Sequence, residues 1–401
     1  MLGLSFEEES ELQDAESGIN DESEFIGEAT DVMGDADIVM DVVNDDGTIT
    51  TEALRTILAF TDITVPHGKQ VTFEELSKES FKDVINTIIA NMYKLFQSII
   101  AAIKRLIVSI VTGTKLLEKH VAELKSTLGT LPDFKETKGG IESPAFTRKF
   151  AMICLSGLVQ NNQLSYERIL DAIKIATTPR NIGELNNSIA WGITNQDTFD
   201  KEYHIKEEDV PESDLLNFYV KRAFDYFNNH LNNVKNTITG KLKQSLVDDG
   251  IVPNSNTSVV IIPIEFHDNK LTGLYIIEDT GKIGFHTAAT NSGQESLPLP
   301  RYSKQQVSNL LLELEKMLSN FNKYKGGVDN DVADGKALLK MTESLSKKFD
   351  SHDIKSTLSV INKSIVITGK AGNGCLLNYF YTMKNIAWLI EAQISVVEKK
   401  K

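Results

Sequence analysis

Between Ser80 and Leu128, apolar residues return every three or four positions: Ile85, Ile88, Ile89, Met92, Phe96, Ile99, Ile100, Ile103, Leu106, Ile107, Ile110 and Val111. That recurrence predicts a helix with one apolar face. Lys94, Gln97, Lys104, Arg105 and Ser109 fall mostly on its other side. Thr72 and Glu75 form a capping-box pattern ahead of it, and Gly129 with Pro132 predicts its end. Its most simply expected role is a core helix laid against a helical body. Its width and length also suit a self-association face, and its lysines suit a membrane surface.

The same periodicity predicts further helices. Residues 144–176 read as two, and a short one fits Glu184–Trp191. A long pattern through Leu215, Phe218, Tyr219, Ala223, Tyr226, Phe227, Leu231 and Val234 covers Asp214–Leu246. The stripe Val307, Leu310, Leu311, Leu314, Met317, Leu318 and Phe321 opens a C-terminal helical region. There Gly326-Gly327 reads as a break, and Ala333–Phe349, Ile354–Val366 and Leu376–Val397 read as three more helices. Short connections favour an antiparallel bundle. Only Ser258–Ala288 looks like β structure. Three β-branched runs separated by turn residues suggest a small antiparallel meander, with Pro263 placing the first run at an edge or bulge. The expected fold is therefore mainly α: a multi-helix bundle with a long amphipathic helix and a small antiparallel β meander. The expected segments are 1–79, 80–135, 141–255, 256–295 and 296–401, of which 1–79 is an acidic, disordered N-terminal segment.

Charge separates that first segment from the rest. The 401-residue chain carries a formal net charge of -14. Residues 1–54 hold seventeen Asp or Glu and no Lys or Arg, which leaves the remainder slightly basic. Phe6 and Phe25 are the only aromatics among the first 50 residues. Self-repulsion with so little apolar surface predicts disorder or transient helices. Two cysteines, Cys154 and Cys375, argue against a disulfide scaffold. No secretory signal opens the sequence. Lys104 and Arg105 interrupt the most apolar run, and a charge at the centre of a spanning helix costs roughly 2.5–3.5 kcal/mol. A soluble protein made in a cytoplasm is expected.

The chemistry-bearing residues point to no reaction. In Val42–Ala53, alignment of Gly47 as the sixth position of a calcium loop puts Val42 first and Ala53 twelfth, so both essential acidic ligands are missing. His67, His120, His204, His230, His267, His286 and His352 form no HExxH pair and join no cysteine cluster. His267 and His286 could face each other across the meander, where packing is the better reading than metal binding. Gly369-Lys370-Ala371-Gly372-Asn373-Gly374 lacks the order of a phosphate loop and has no strand feeding it, so it reads as a helix connector. Tyr379, Phe380 and Tyr381 before Lys384 read as a broad apolar helix face, and no basic cluster with interleaved aromatics stands out. No enzyme activity, cofactor or metal is expected.

The order of features resembles a known family. An acidic N-terminus, an Ile- and Phe-rich amphipathic helix with interspersed lysines, and then the run Leu116-Leu117-Glu118-Lys119 with Ala122-Glu123-Leu124-Lys125 and Leu128 look like the internal head proteins of jumbo tailed bacteriophages. The likeness covers residues 1–128. It implies a non-enzymatic virion protein, made in the host cytoplasm and packaged inside the capsid with DNA. It also implies a prosegment removed by a maturation protease that cuts after Glu in a small-x-Glu context. Ser77, Lys78 and Glu79 fit such a processing site; Ser5-Phe6-Glu7 also fits but would remove almost nothing. The implied partners are other capsid or internal head proteins, the protease and nonspecific packaged DNA; membrane contact is the least expected. Two other classes stay open: a helical scaffold or adaptor binding a basic partner, and an ejected protein acting at the host envelope.

Overall fold

The stripe between Ile85 and Val111 becomes one face of a fifty-residue helix. The computed structural model describes residues 6–42, 81–141, 166–177, 259–267, 270–278, 283–287, 299–345 and 351–398. Its helices are α1 (Phe6–Val42), α2 (Phe81–Thr130), α3 (Tyr166–Thr177), α4 (Lys304–Leu345) and α5 (Ser351–Glu398). Its strands are β1 (Thr137–Ile141), β2 (Val259–His267), β3 (Lys270–Glu278), β4 (Ile283–Thr287) and β5 (Leu299–Arg301). The described part is predominantly helical.

Residue contacts give the direction of each helix. Glu8 meets Lys119 and Glu22 meets Arg105, so α1 runs antiparallel to α2. Glu16 meets Lys384, while Gly369 faces Thr30, so α1 is antiparallel to α5 as well. It follows that α2 and α5 are parallel, with Gly113 near Phe380 and His120 near Glu391. The first half of α4 lies antiparallel to both: Lys125 pairs with Glu315, and the Tyr379 hydroxyl donates to the Met317 carbonyl at 2.7 Å. Along Leu376–Ile390 nearly every side chain of α5 is buried. It is the central helix, wrapped by the others.

The acidic N-terminus departs from expectation over residues 6–42, which are ordered as α1. Leu12, Ala15, Ile19, Ile26, Ala29 and Met33 are all buried, at alternating steps of three and four once Glu22 is counted between Ile19 and Ile26. That spacing keeps one seam facing its neighbours along the whole helix. Helix α1 holds fourteen acidic residues and no basic ones, while α2 holds seven basic and three acidic. Charge that would repel itself in an isolated segment meets its opposite here. The bundle thus draws on residues assigned by composition to three separate segments. The calcium-loop stretch beyond Val42 and the helical patterns at 184–191 and 214–246 lie outside the described residues.

Glycines read as breaks lie inside helices. Gly326 and Gly327 are within α4, and Gly369–Gly374 is within α5 rather than a connector. Gly113 is within α2, where an added Cβ would come 2.8 Å from two atoms of the fully buried Phe380 ring. Gly113→Ala gains about 1 kcal/mol of helix propensity but forces an overpacked contact costing about 1–3 kcal/mol. Because the Phe380 ring is fully buried and has no path to solvent, the clash outweighs the gain, and a lower melting temperature is expected. Gly326→Ala is the control: nothing lies within 4 Å of its added Cβ, so that variant should gain stability.

The polar linker after α2 is tied down. Strand β1 pairs antiparallel with β5, and the Lys304 backbone N–H donates to the Phe134 carbonyl at 3.0 Å. Ser303 caps α4: the Gln306 N–H donates to Ser303 Oγ at 3.3 Å, and the Ser303 N–H donates to Gln306 Oε1 at 2.8 Å. Tyr302, fully buried, donates its N–H to Gln393 Oε1 of α5 at 3.0 Å. Strands β2, β3 and β4 pair antiparallel in that order, with β3 central and register shifts in β2 after Pro263 and Glu265. His267 is opposite Lys270 and His286 opposite Leu274, so β3 lies between the two strands that carry these histidines.

Candidate functional site

The most distinctive chemistry among the described residues is the seat of α1, in the groove between parallel helices α2 and α5. Its floor is apolar and its rim is cationic. Ile99 and Phe380, which meet α1 residues at Gly369 and Gly113, are fully buried there. Three glycines let the backbones approach: Gly18 against Ser109, Gly113 against Phe380 and Leu12, and Gly369 against Thr30 and Ile99. Thr30 is itself fixed, its hydroxyl donating to the Ile26 carbonyl at 2.8 Å. A side chain at Gly369 would meet Thr30 of α1, and one at Gly113 would meet the Phe380 ring between α2 and α5.

Three ion pairs tie α1 down across the rim. Arg105 donates to Glu22 in bidentate fashion, with Nη2 to Oε2 at 2.8 Å. Lys119 Nζ meets Glu8 at 3.2 Å. Both cations are more than half exposed, so each pair contributes about 0–1 kcal/mol. Fully burying a single Ile or Met contributes about 1.5–3 kcal/mol, and α1 buries Ile19, Ile26 and Met33 completely. Apolar burial therefore holds α1, and the rim pairs fix its direction and register.

The third pair is different. Lys384 is buried on α5, with Glu16 of α1 against its ammonium and the Trp388 ring 4.4 Å away. Burial pulls the Lys384 ammonium down from its ordinary value to about 7. Beside it, the Tyr381 hydroxyl contacts Asn20 Oδ1 at 3.1 Å, and Asn373 Nδ2 donates to Ser23 Oγ at 3.1 Å. The polar side of α1 is read by a row of α5 groups.

His120 lies deeper in the α2–α5 contact and is 2% exposed. Neither ring nitrogen has a hydrogen-bond partner; Glu391 is 3.8 Å from Nε2 and Glu123 is 4.0 Å from Nδ1. Burial pushes its pKa down to about 4. Between that value and the ordinary 6.5 the unfolded chain binds a proton that the folded chain does not, so stability falls as pH drops through the window. His120→Leu should flatten this slope in denaturation measured from pH 7 to pH 4; an unchanged slope would assign the acid sensitivity elsewhere.

The residues singled out from sequence fare unevenly. Ser77, Lys78 and Glu79 lie outside the described residues, just before α2 begins at Phe81. His67, His204 and His230 also lie outside them, as does Cys154. Among the described residues no group of three or more His, Cys, Asp or Glu is placed to hold a metal ion. Sequence reasoning missed Glu16, Lys384 and the small residues Gly18, Gly113 and Gly369. The available signal was the step of three and four through Leu12, Ala15, Ile19, Ile26, Ala29 and Met33, which the carboxylates obscured. Comparison with protein-family models, curated proteins and solved structures gives no match.

Proposed function

We propose that this chain is a non-enzymatic structural protein packaged inside a bacteriophage head, with its acidic N-terminal segment removed during head maturation by cleavage after Glu79. The observation that supports the reading is the pairing of α1 with Arg105, Lys119 and Lys384. An acidic helix occupies cations that belong to the rest of the chain. Its removal would uncover three basic groups along one groove and turn a chain of net charge -14 into a slightly basic one. That change of sign suits confinement beside packaged DNA.

Because α1 is folded into the bundle, cutting the connection does not by itself free it; release needs a second step that opens the α2–α5 groove. Mass spectrometry of purified particles tests the proposal. Peptides from residue 80 onward without those of residues 6–42 are expected in mature heads. An intact N-terminus in filled heads overturns the processing, and absence of the chain from particles overturns the location.

A second reading draws on the outer side of α1. Glu7, Glu11, Asp14, Asp21, Glu24 and Glu28 are exposed along it. A scaffold or adaptor binding a basic partner would use that row uncut, and neutralising Glu11, Asp14, Asp21 and Glu28 in the full chain would then abolish partner capture.

A further inference from the structure

Helix α2 is a poor match for the helix that covers it. Within Met92–Thr130 an 18-residue window has a mean hydropathy of 1.7, long and apolar enough to cross a membrane by length and composition, and α2 is the only such helix among the described residues. Yet among the described side chains of α2, Val108 is the only large apolar one left well exposed. Part of its cover is α1, whose seam includes two alanines and Glu22 and whose other surface is largely carboxylate. The rim it crosses is cationic. Lys94, Lys104, Arg105, Lys115 and Lys119 are exposed along α2, and two of these already hold carboxylates of α1.

We infer that α1 is a removable cover, and that the α2–α5 face beneath it docks on an anionic lipid surface. An interfacial helix needs an apolar face set into the acyl boundary and Lys or Arg at the headgroup level. Helix α2 carries both rows, with Ile99, Leu106 and Ile110 buried and Lys104, Arg105 and Lys119 at the surface. The carboxylates of Glu8 and Glu22 stand where lipid phosphates would stand. DNA would satisfy the cations but leave the apolar row in water, whereas an anionic lipid surface answers both. The α5 side adds Phe380 and Tyr381, now buried, to the same face.

This rests on reading α1 as removable but not on the site of any natural cut. The experiment uses the full chain with a foreign protease site inserted between residues 43 and 80. Because cutting alone leaves α1 seated, a second full-length chain carries the same protease site together with Glu8→Gln, Glu16→Gln and Glu22→Gln, which removes the three ion pairs and loosens α1 without adding positive charge. Each is floated with vesicles of phosphatidylglycerol and phosphatidylcholine, and with phosphatidylcholine alone, after light scattering confirms that no aggregates are present. The uncut chain should stay at the bottom of the gradient. The body freed of α1, verified by mass, should float at least about tenfold more with the anionic vesicles and not with phosphatidylcholine alone. A freed body that stays at the bottom overturns the inference. So does a stable dimer that ignores vesicles, which would assign the face to a second copy. Retention of α1 after cutting in both chains overturns its role as a removable cover. Natural processing elsewhere than Glu79 would leave this result unaffected.

Discussion

Replacing Glu16 by alanine is expected to destabilise the chain by about 1–2 kcal/mol at pH 6, where Lys384 is charged, and by less at pH 9, while Lys384→Met leaves stability unchanged or raises it. The asymmetry comes from where the two ends of the pair lie. The Lys384 side chain is 4% exposed, against 19% for Glu16. Loss of the carboxylate strands an ammonium in an apolar site, with only the Trp388 ring to answer it. Loss of the lysine leaves a carboxylate that turns to water, and methionine fills the vacated space with a chain of similar length. The pH dependence should separate the variants further. Burial holds Lys384 near pH 7, while the unfolded chain keeps its proton up to the ordinary 10.5. Between those values the unfolded state binds more protons, so this group makes stability rise with pH across the window; below about 7 the full burial cost is carried. Lys384→Met should remove that rise. Urea denaturation at pH 6, 7.5 and 9 checks both statements, and equal losses for the two variants would contradict the buried position of Lys384.

Ile19→Ala and Ile26→Ala are each expected to lower stability by about 2–4 kcal/mol, because both side chains are fully buried in the seam of α1. The expectation is sharp because the composition of the segment predicts no effect at all. In a disordered acidic tail an isoleucine contributes nothing to unfolding. The two residues lie seven apart in one seam without touching, so their effects should add. Asp21→Ala, on the exposed side of the same helix, should change stability by less than about 0.5 kcal/mol. Thermal melts of the three variants decide between a packed helix and a loose tail.

What the sequence made legible follows from how much each residue type says on its own. The face of α2 was readable because Ile, Leu and Phe recur there with few interruptions. The start of α4 was readable for the same reason, with Ser303 and Gln306 supplying the cap. Helix α1 was not, since its seam relies on Ala15 and Ala29, which carry little hydropathy, and includes Glu22, which reads as surface. Its fold depends on partners more than sixty residues away, and composition is blind to those. Gly326 and the run from Gly369 misled in the opposite direction. Glycine marks a break by its backbone freedom, but at Gly369 it is needed for the absence of a Cβ, since Thr30 occupies that space. The Glu16–Lys384 pair joins residues 368 apart and leaves no local trace.

That separation sets an order of events during synthesis. The groove that receives α1 has two walls, and the second wall is α5, which is translated after the other described helices. Contacts of Glu16, Asn20 and Ser23 with α5 span 350 to 368 residues. Closing so long a loop costs entropy that only the finished contacts repay, which makes it a late step. While the intervening chain is being made, α2 is the one described helix in place for α1 to lean on, and the α5 side of its seat is still missing. The nascent chain therefore spends most of its synthesis with its most apolar helix incompletely sheltered, and the acidic residues of α1 are its nearest source of repulsion between neighbouring unfinished chains.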